Sequence, residues 1–236
     1  MELCAEPSNG FELMDMPHKG VAVVAAMRME LAPLFKGVRS QQIDGIEFFE
    51  IDKTVIAVGG VGRAAATRTT EAVLAKYRPE KVLSAGLVGA VTARLKVGDV
   101  VHAREVIDAD SGAHFATADG GDGVLITVSS VSGPAEKRSL AQRWHADVLD
   151  MEAAAVAAQA QQSGVAFSVV KAVSDELDFA MPPLGKFVNE GGKFETLRFL
   201  AYIAVRPGWW NDVRKLSANS RKATANLCSV LEHLIS

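Results

Sequence analysis

Cysteine is nearly absent. The chain has two, Cys4 and Cys228, which stand near its opposite ends. Two thiols without a short spacing build neither a disulfide framework nor a zinc site, and they suit a reducing compartment. An excess of one charge is lacking too. The formal net charge is -3, and without a clustered basic surface there is no electrostatic case for a nucleic-acid partner. Long apolar runs are missing as well, and the longest fall far short of the ~20 residues that a membrane span needs. Met1 to Lys19 carries acids and prolines but no apolar stretch, so it does not read as a secretory signal. These absences point to a cytoplasmic protein.

What is present is enough apolar residue for a core. The chain has 236 residues, 49% of them hydrophobic, which suffices for one substantial α/β domain without a second. Residues 1–18 lack any period and read as a poorly ordered lead-in. The domain is then 19–236, with 186–236 as a helical C-terminal extension. The first strand candidate is 20–26, a run of Val and Ala without polar alternation, as suits a strand covered on both faces. Further strands are expected at 46–51, 54–58, 81–85, 99–106, 124–129, 147–149 and 165–173. Helices are expected at 63–77, 134–144 and 153–162, with a short one in 27–35 broken near Pro33. From Gly192 onward the pattern is helical, interrupted at Pro207-Gly208. Strands alternating with helices predict a largely parallel sheet with helices on both faces. There is no internal repeat.

In such sheets ligands gather where strands end and loops begin. Glu30, Asp150 to Glu152, and Ser174-Asp175 all fall at those points. So does Gly60-Val61-Gly62-Arg63-Ala64-Ala65, which matches G-x-G-x-x-A between a strand and a helix. A dinucleotide fingerprint also needs an acid at the end of the next strand. Here Glu80 precedes that strand, which ends in Ser84-Ala85-Gly86. The turn therefore reads as a tight connection that lets helix pack on sheet.

Taken singly, each polar site has a plain explanation. Glu30 fits a solvated helix carboxylate, Asp150 and Glu152 fit a helix N-terminus, and Ser174 or Asp175 fits a cap. Their combination is more specific. With Leu95 to Val101, the Asp-Met-Glu-Ala run at 150–153 and Ala172-Val173-Ser174-Asp175, the chain resembles the nucleoside phosphorylase and nucleosidase superfamily (purine and uridine phosphorylases, family 1) over roughly residues 20 to 178. Within it the chain is similar to the 5′-methylthioadenosine/S-adenosylhomocysteine nucleosidases. That resemblance implies a phosphorylase/hydrolase-like three-layer α/β/α sandwich with a central mixed sheet. It implies cleavage of the N-glycosidic bond of an adenosine-like purine ribonucleoside, no metal or organic cofactor, and a homo-oligomer.

The resemblance also implies roles. Asp175 would protonate N7 of the departing purine, with Ser174 orienting it. Glu152 would hold the ribose hydroxyls and favour the oxocarbenium-like sugar, with Met151 as an apolar wall. Glu30 would act as general base on the attacking water. Asp150 stands where relatives carry an acid or another residue. Gly86 and Leu87 fall at the sugar or anion side.

Water and phosphate both remain open as nucleophiles. Phosphorolysis, which gives base and ribose 1-phosphate, needs a cradle for a dianion. Glu30 stands where the hexameric phosphorylases carry arginine, and Leu87 where many relatives carry Ser or Thr. Arg28 and Arg63 are the candidate anion ligands. The balance favours hydrolysis.

Two stretches depart from the nucleosidase pattern. Ser129 to Gly133 is short and lacks the base-stacking aromatic, leaving Val131 to pack on the base and Phe179 or Met181 as candidates for the missing wall. The tail, with Phe194, Leu197, Phe199, Leu200, Tyr202, Trp209 and Trp210, is dense for a chain that is 6% aromatic. It resembles the hopanoid-associated phosphorylase branch, whose implied substrate is adenosylhopane, a nucleoside with a very hydrophobic 5′ group. The tail therefore has two readings. One is core and subunit-interface packing, and the other is a peripheral contact with the inner membrane face through 194–215. A non-catalytic nucleoside-binding module is the alternative from a different class.

Overall fold

The computed structural model describes residues 20–130, 133–189 and 191–235. The 1–18 lead-in and Val131 lie outside the described residues.

Strand β1 (Val21–Ala25) leads into two short 3-10 turns, Arg28–Glu30 and Ala32–Phe35. Strands β2 (Ser40–Ile43), β3 (Ile46–Ile51) and β4 (Thr54–Val58) form an antiparallel meander. The glycine turn then opens helix α1 (Arg63–Tyr77). Strands β5 (Lys81–Ala90), β6 (Val100–Asp108), β7 (His114–Ala116) and β8 (Gly123–Thr127) follow. After them come helix α2 (Pro134–Trp144), strand β9 (Val148–Asp150), helix α3 (Ala153–Gln162) and strand β10 (Ala166–Asp175). Helices α4 (Thr196–Ala204) and α5 (Trp210–Ile235) end the described chain.

The strands form one 10-stranded sheet in the order β10-β6-β8-β9-β5-β1-β4-β3-β2, with β7 on β6, and an additional pairing joins β10 to β5. The strands β5, β10, β6, β8 and β9 thus close into a ring, and β1 to β4 extend the sheet from β5. Among the described residues, five pairings are parallel and five antiparallel. The sheet is mixed, as the resemblance implied, and not the largely parallel one predicted from the strand–helix alternation.

Three layers follow from the two-residue alternation of the strands. Ala22, Val24, Val55, Ala57 and Val82 face α1 and α3, whose Ala66, Val73 and Ala153 to Ala157 complete that core. Val23, Ala25, Ile56, Leu83 and Val170 face the other way, onto Ala223, Leu227, Cys228 and Leu231 of α5. Leu227 and Leu231 are fully buried there, and truncating either to alanine would cost ~2–5 kcal/mol.

Strands near the site run further than their apolar stretches suggested. β5 continues through Gly86 and Gly89 to Ala90, and β10 ends on Asp175 itself. Two strands, β2 and β7, were not anticipated. They carry exposed polar residues at the sheet's margin and have no hydrophobic alternation to read. Among the described residues, no helix is long and apolar enough to cross a membrane.

Candidate active site

The polar residues singled out in the sequence converge on the second half of β5. β1 and β10 run parallel to β5 on either side of its first half, and β10 stays beside it to Gly89. β9 meets the end of β5 antiparallel, with Gly89 opposite Leu149 and Ala90 opposite Val148. The loop after β1 therefore brings Glu30 to Gly86 and Leu87, and the end of β10 brings Asp175 to Gly89.

Glu30 sits in the 3-10 turn after β1 and is 4% exposed. Its Oε2 accepts the amide of Met27 at 3.0 Å, and its Oε1 accepts the amide of Leu87 at 3.4 Å. A side chain on Gly86 would put its Cβ 3.2 Å from Glu30 Oε2. Gly86 also has φ +153, so space and backbone both call for glycine here. Burial pushes the Glu30 carboxyl above the usual carboxylate range, although the Met27 amide, the Lys171 charge and the Leu87 amide pull it down.

Glu152 is the N-cap of α3 and points back at the glycine turn. Its Oε1 accepts the Gly62 amide at 2.7 Å. That amide lies at the N-terminus of the fifteen-residue α1, where the helix dipole favours a negative charge. In a dinucleotide-binding fold such amides would face a phosphate, whereas here the chain's own carboxylate takes them. The turn does not follow the plain packing reading alone, because it also anchors a functional candidate. Removal from water raises Glu152 to about 7. The Asp150 and Glu30 charges add to that rise, and the Lys171 charge and the Gly62 amide oppose it.

Lys171 and Asp150 form a buried pair at 3.0 Å, with side chains 4% and 1% exposed. Asp150 also accepts Thr127 Oγ1 at 2.8 Å and the Ala153 amide at 3.0 Å. It therefore ties α3, Thr127 and Lys171 together. Burial works against the charge on Lys171, but Asp150, Glu152 and Glu30 outweigh it and raise its pKa. Glu30, Glu152, Asp150 and Lys171 are thus one electrostatic cluster. A narrow crevice lined by Ala25, Ala26, Gly60, Ser84, Glu152 and Lys171 opens beside it.

Asp175 lies at the other end of the stretch, opposite Gly89 on β5. Gly86 and Gly89 are three residues apart, ~10 Å along a strand. Asp175 Oδ1 accepts Ser174 Oγ at 2.9 Å. Its Oδ2 accepts Lys137 Nζ at 2.5 Å, and both side chains of this pair are buried, 1% exposed for Lys137 and 4% for Asp175. Lys137 also donates to the Glu176 carbonyl at 3.0 Å. Gly89 leaves room for the pair, since a Cβ there would stand 2.9 Å from Asp175 Oδ2 and 3.3 Å from Lys137 Nζ.

The two candidate anion ligands are each paired with carboxylates. Arg63 Nη1 and Nη2 donate to Asp108 at 2.9 and 2.6 Å, and Nη2 also reaches Asp110 at 3.2 Å. Arg28 is exposed, pairs with Glu47 at 2.8 Å and lies over the Phe49 ring at 5.3 Å. Both guanidinium groups are occupied by carboxylates from distant strands and loops. Met151 is half-buried beside Glu152, and its amide lies 3.2 Å from Glu152 Oε2. Leu87 turns its side chain into the α5-facing core and offers only its amide. Lys137 and Lys171 went unread in the sequence. Lys171 stood inside a segment already singled out, and a charged residue within an apolar strand was the available sign. Lys137 gave none, because Pro134 to Trp144 has the composition of an ordinary surface helix.

A larger groove of about 490 Å³ lies between the C-terminal ends of α1 and α3, lined by Glu71, Leu74, Arg78, Gln159 and Ser163. It is at the starting ends of β5 and β10, remote from the buried acids. Among the described residues, no group of His, Cys, Asp and Glu is arranged to hold a metal ion.

Comparison with known proteins places this geometry in context. Residues 20–132 and 120–196 match the model of the Phosphorylase superfamily. A 5′-methylthioadenosine/S-adenosylhomocysteine nucleosidase from Shewanella halifaxensis is 24% identical over 225 residues, covering 78% of this chain and 98% of that protein. The same enzyme from Neisseria meningitidis, solved in complex with methylthio-immucillin-A, superposes with a TM-score of 0.68 at 20% identity, covering 90% of this chain and 96% of that one. The futalosine hydrolase of Helicobacter pylori superposes with a TM-score of 0.66 at 18% identity, covering 91% and 98%.

Proposed function

The chain belongs to the Phosphorylase superfamily, and we propose that it hydrolyses the N-glycosidic bond of an adenosine-like purine ribonucleoside. The observation that carries this reading is the arrangement along β5. Glu30 reaches Gly86 and Leu87, Glu152 on the Gly62 amide is coupled electrostatically to Glu30 and to the Asp150–Lys171 pair, and Asp175 lies at Gly89.

The chemistry divides between the two ends. At the sugar end, Glu30 takes a proton from water as its oxygen attacks C1′. Burial raises its pKa, which makes the carboxylate a stronger base. Glu152 accepts the ribose hydroxyls, and its negative charge stabilises the oxocarbenium-like sugar. At the base end, the C1′–N9 bond breaks, the electron pair goes to the purine, and N7 receives a proton through Asp175. Met151 lines the ribose side, and Ser174 fixes the Asp175 carboxyl through Oδ1. Val131 remains the candidate neighbour of the base.

Water is favoured over phosphate by the charge already present. Glu30 would repel a dianion, and both Arg28 and Arg63 are held by carboxylates. Phosphorolysis is the competing reaction, and product analysis separates the two. Hydrolysis releases free ribose at the same rate with and without phosphate. Ribose 1-phosphate formed only when phosphate is present would overturn the reading.

The preferred substrate, in this reading, carries an apolar 5′ group, with adenosylhopane, the substrate implied by the resemblance to the hopanoid-associated branch, as the model case. The C-terminal extension supports it. The Gly192 carbonyl accepts the Val61 amide at 2.7 Å, directly beside the Gly62 amide that holds Glu152. Behind that contact Phe187, Phe199 and Ile203 form a small aromatic core with Phe194 and Tyr202. Leu197, Leu200, Val205 and Trp210 are exposed on its outside. An apolar 5′ chain leaving the sugar would meet this surface, and a membrane face would deliver such a substrate. A second copy of the chain is the competing occupant.

A further inference from the structure

Asp175 is assigned a proton to deliver, yet both of its oxygens are already engaged. Oδ1 accepts from Ser174 Oγ at 2.9 Å, and Oδ2 faces the Lys137 ammonium at 2.5 Å. An ammonium and a carboxylate this close, both withdrawn from water, are placed for a proton to pass between Nζ and Oδ2. The surroundings offer few other sources. The Glu176 carboxylate beside the pair is turned to Lys96 Nζ and the Val97 amide, and Arg138 pairs with Asp178. Asp150 and Lys171 are committed to each other.

The lysine is also held in place. Its stem is enclosed, with 1% of its side chain exposed, and Nζ is anchored a second time by the Glu176 carbonyl at 3.0 Å. Gly89 supplies the space that both groups occupy. A lysine needed only for solubility on α2 would extend into water at no cost. Burying it against the one carboxylate assigned to the leaving group is expensive unless the pairing is used.

We propose that Lys137 is the proton reservoir for Asp175, a positioning residue that acts on the leaving base through that carboxylate. As the C1′–N9 bond breaks and its electron pair moves to the purine, the Asp175 carboxylate relays a proton to N7. Lys137 in turn passes one to Asp175 and becomes the neutral amine. Glu30 meanwhile takes the proton released by water, so charge is conserved. Solvent restores both groups after the products leave. This inference rests on the proposed nucleosidase reading.

The test compares adenosine with p-nitrophenyl β-ribofuranoside, whose leaving group departs as an anion without protonation. For Lys137→Met, kcat on adenosine falls ~100-fold or more while KM moves by less than about threefold, and p-nitrophenyl riboside cleavage is nearly unchanged. Parallel loss on both substrates, or no loss on either, overturns the proposal. Lys137→Arg keeps the cation and the ion pair but does not surrender its proton, so its kcat on adenosine falls similarly. Recovery of the wild-type kcat by arginine would mean that charge pairing alone matters, and the relay would be wrong. Asp175→Asn separates the two levels of the argument. If it abolishes adenosine cleavage while Lys137→Met and Lys137→Arg do not, only the relay fails. If Asp175→Asn is fully active, the assigned acid fails with it.

Discussion

The Gly62 amide donates to Glu152 Oε1 at 2.7 Å, joining the first turn of α1 to the end of β9 across ninety residues of sequence. A glycine turn and a carboxylate that looked separate in the sequence are therefore one device. The turn positions Glu152 and the helix dipole stabilises its charge, while burial and the neighbouring Asp150 oppose that charge and leave the group near pH 7.

The first prediction concerns pH. An acid whose pKa is raised in the folded state stabilises the fold fully below its unfolded value, and that contribution is lost as pH rises through the folded value. For Glu152 the window runs from 4.5 to about 7. Thermal melting of the wild type should therefore fall across that window, and Glu152→Gln should flatten the fall. The ionised form is the active one, so kcat/KM should rise through the same window. A wild-type melting temperature that climbs over this range would contradict the assignment.

Gly89→Ala tests the base end. The added methyl would stand 2.9 Å from Asp175 Oδ2 and 3.3 Å from Lys137 Nζ and Cε. Something must move, and the ion pair is the movable part. A loss of at least ~10-fold in kcat is expected, with the fold retained by circular dichroism. Wild-type kcat would show that the pair tolerates displacement and does not act where we place it.

Lys171→Met removes the counter-ion of Asp150 and leaves its carboxylate buried among Thr127 and the first turn of α3. Breaking one partner of such a pair costs ~3–5 kcal/mol. Urea unfolding should show that loss, and adding Asp150→Asn should recover part of it. A single variant as stable as the wild type would mean that the pair is not the buried anchor described.

The outer face of α4 gives a fourth prediction. Leu197 is 83% exposed and Leu200 53%, an unusual pairing on one helix unless something covers them. Sedimentation with anionic vesicles should bring down the wild type. Leu197→Ser with Leu200→Ser should weaken partition roughly tenfold or more, since two apolar contacts are lost. A wild type that stays in the supernatant at every lipid concentration would remove the membrane, and a second copy of the chain would then be the natural cover.

Much of this was legible in the sequence where local chemistry decides. The strands around Val21–Ala25 and Thr54–Val58 follow from unbroken apolar runs, and the helices of Arg63–Tyr77 and Ala153–Gln162 from alanine-containing stretches with clean stops. Gly86 and Gly89 concealed the second half of β5. They weaken a strand's signature and are present because Glu30 and Asp175 approach the backbone there. Acids at strand ends stood out because strand ends are where such sheets bind. The partners of Arg28 and Arg63 did not, because Glu47 and Asp108 are set by the fold and not by sequence proximity. Lys137 was invisible for the same reason.

The most direct test is a crystal of the wild type soaked with adenine, ribose and phosphate together. The account predicts adenine with N7 within hydrogen-bonding distance of the Asp175 carboxyl, ribose hydroxyls on Glu152, and no phosphate beside Glu30. Adenine bound away from Asp175, in the groove beside Glu71 and Arg78 for example, would contradict it.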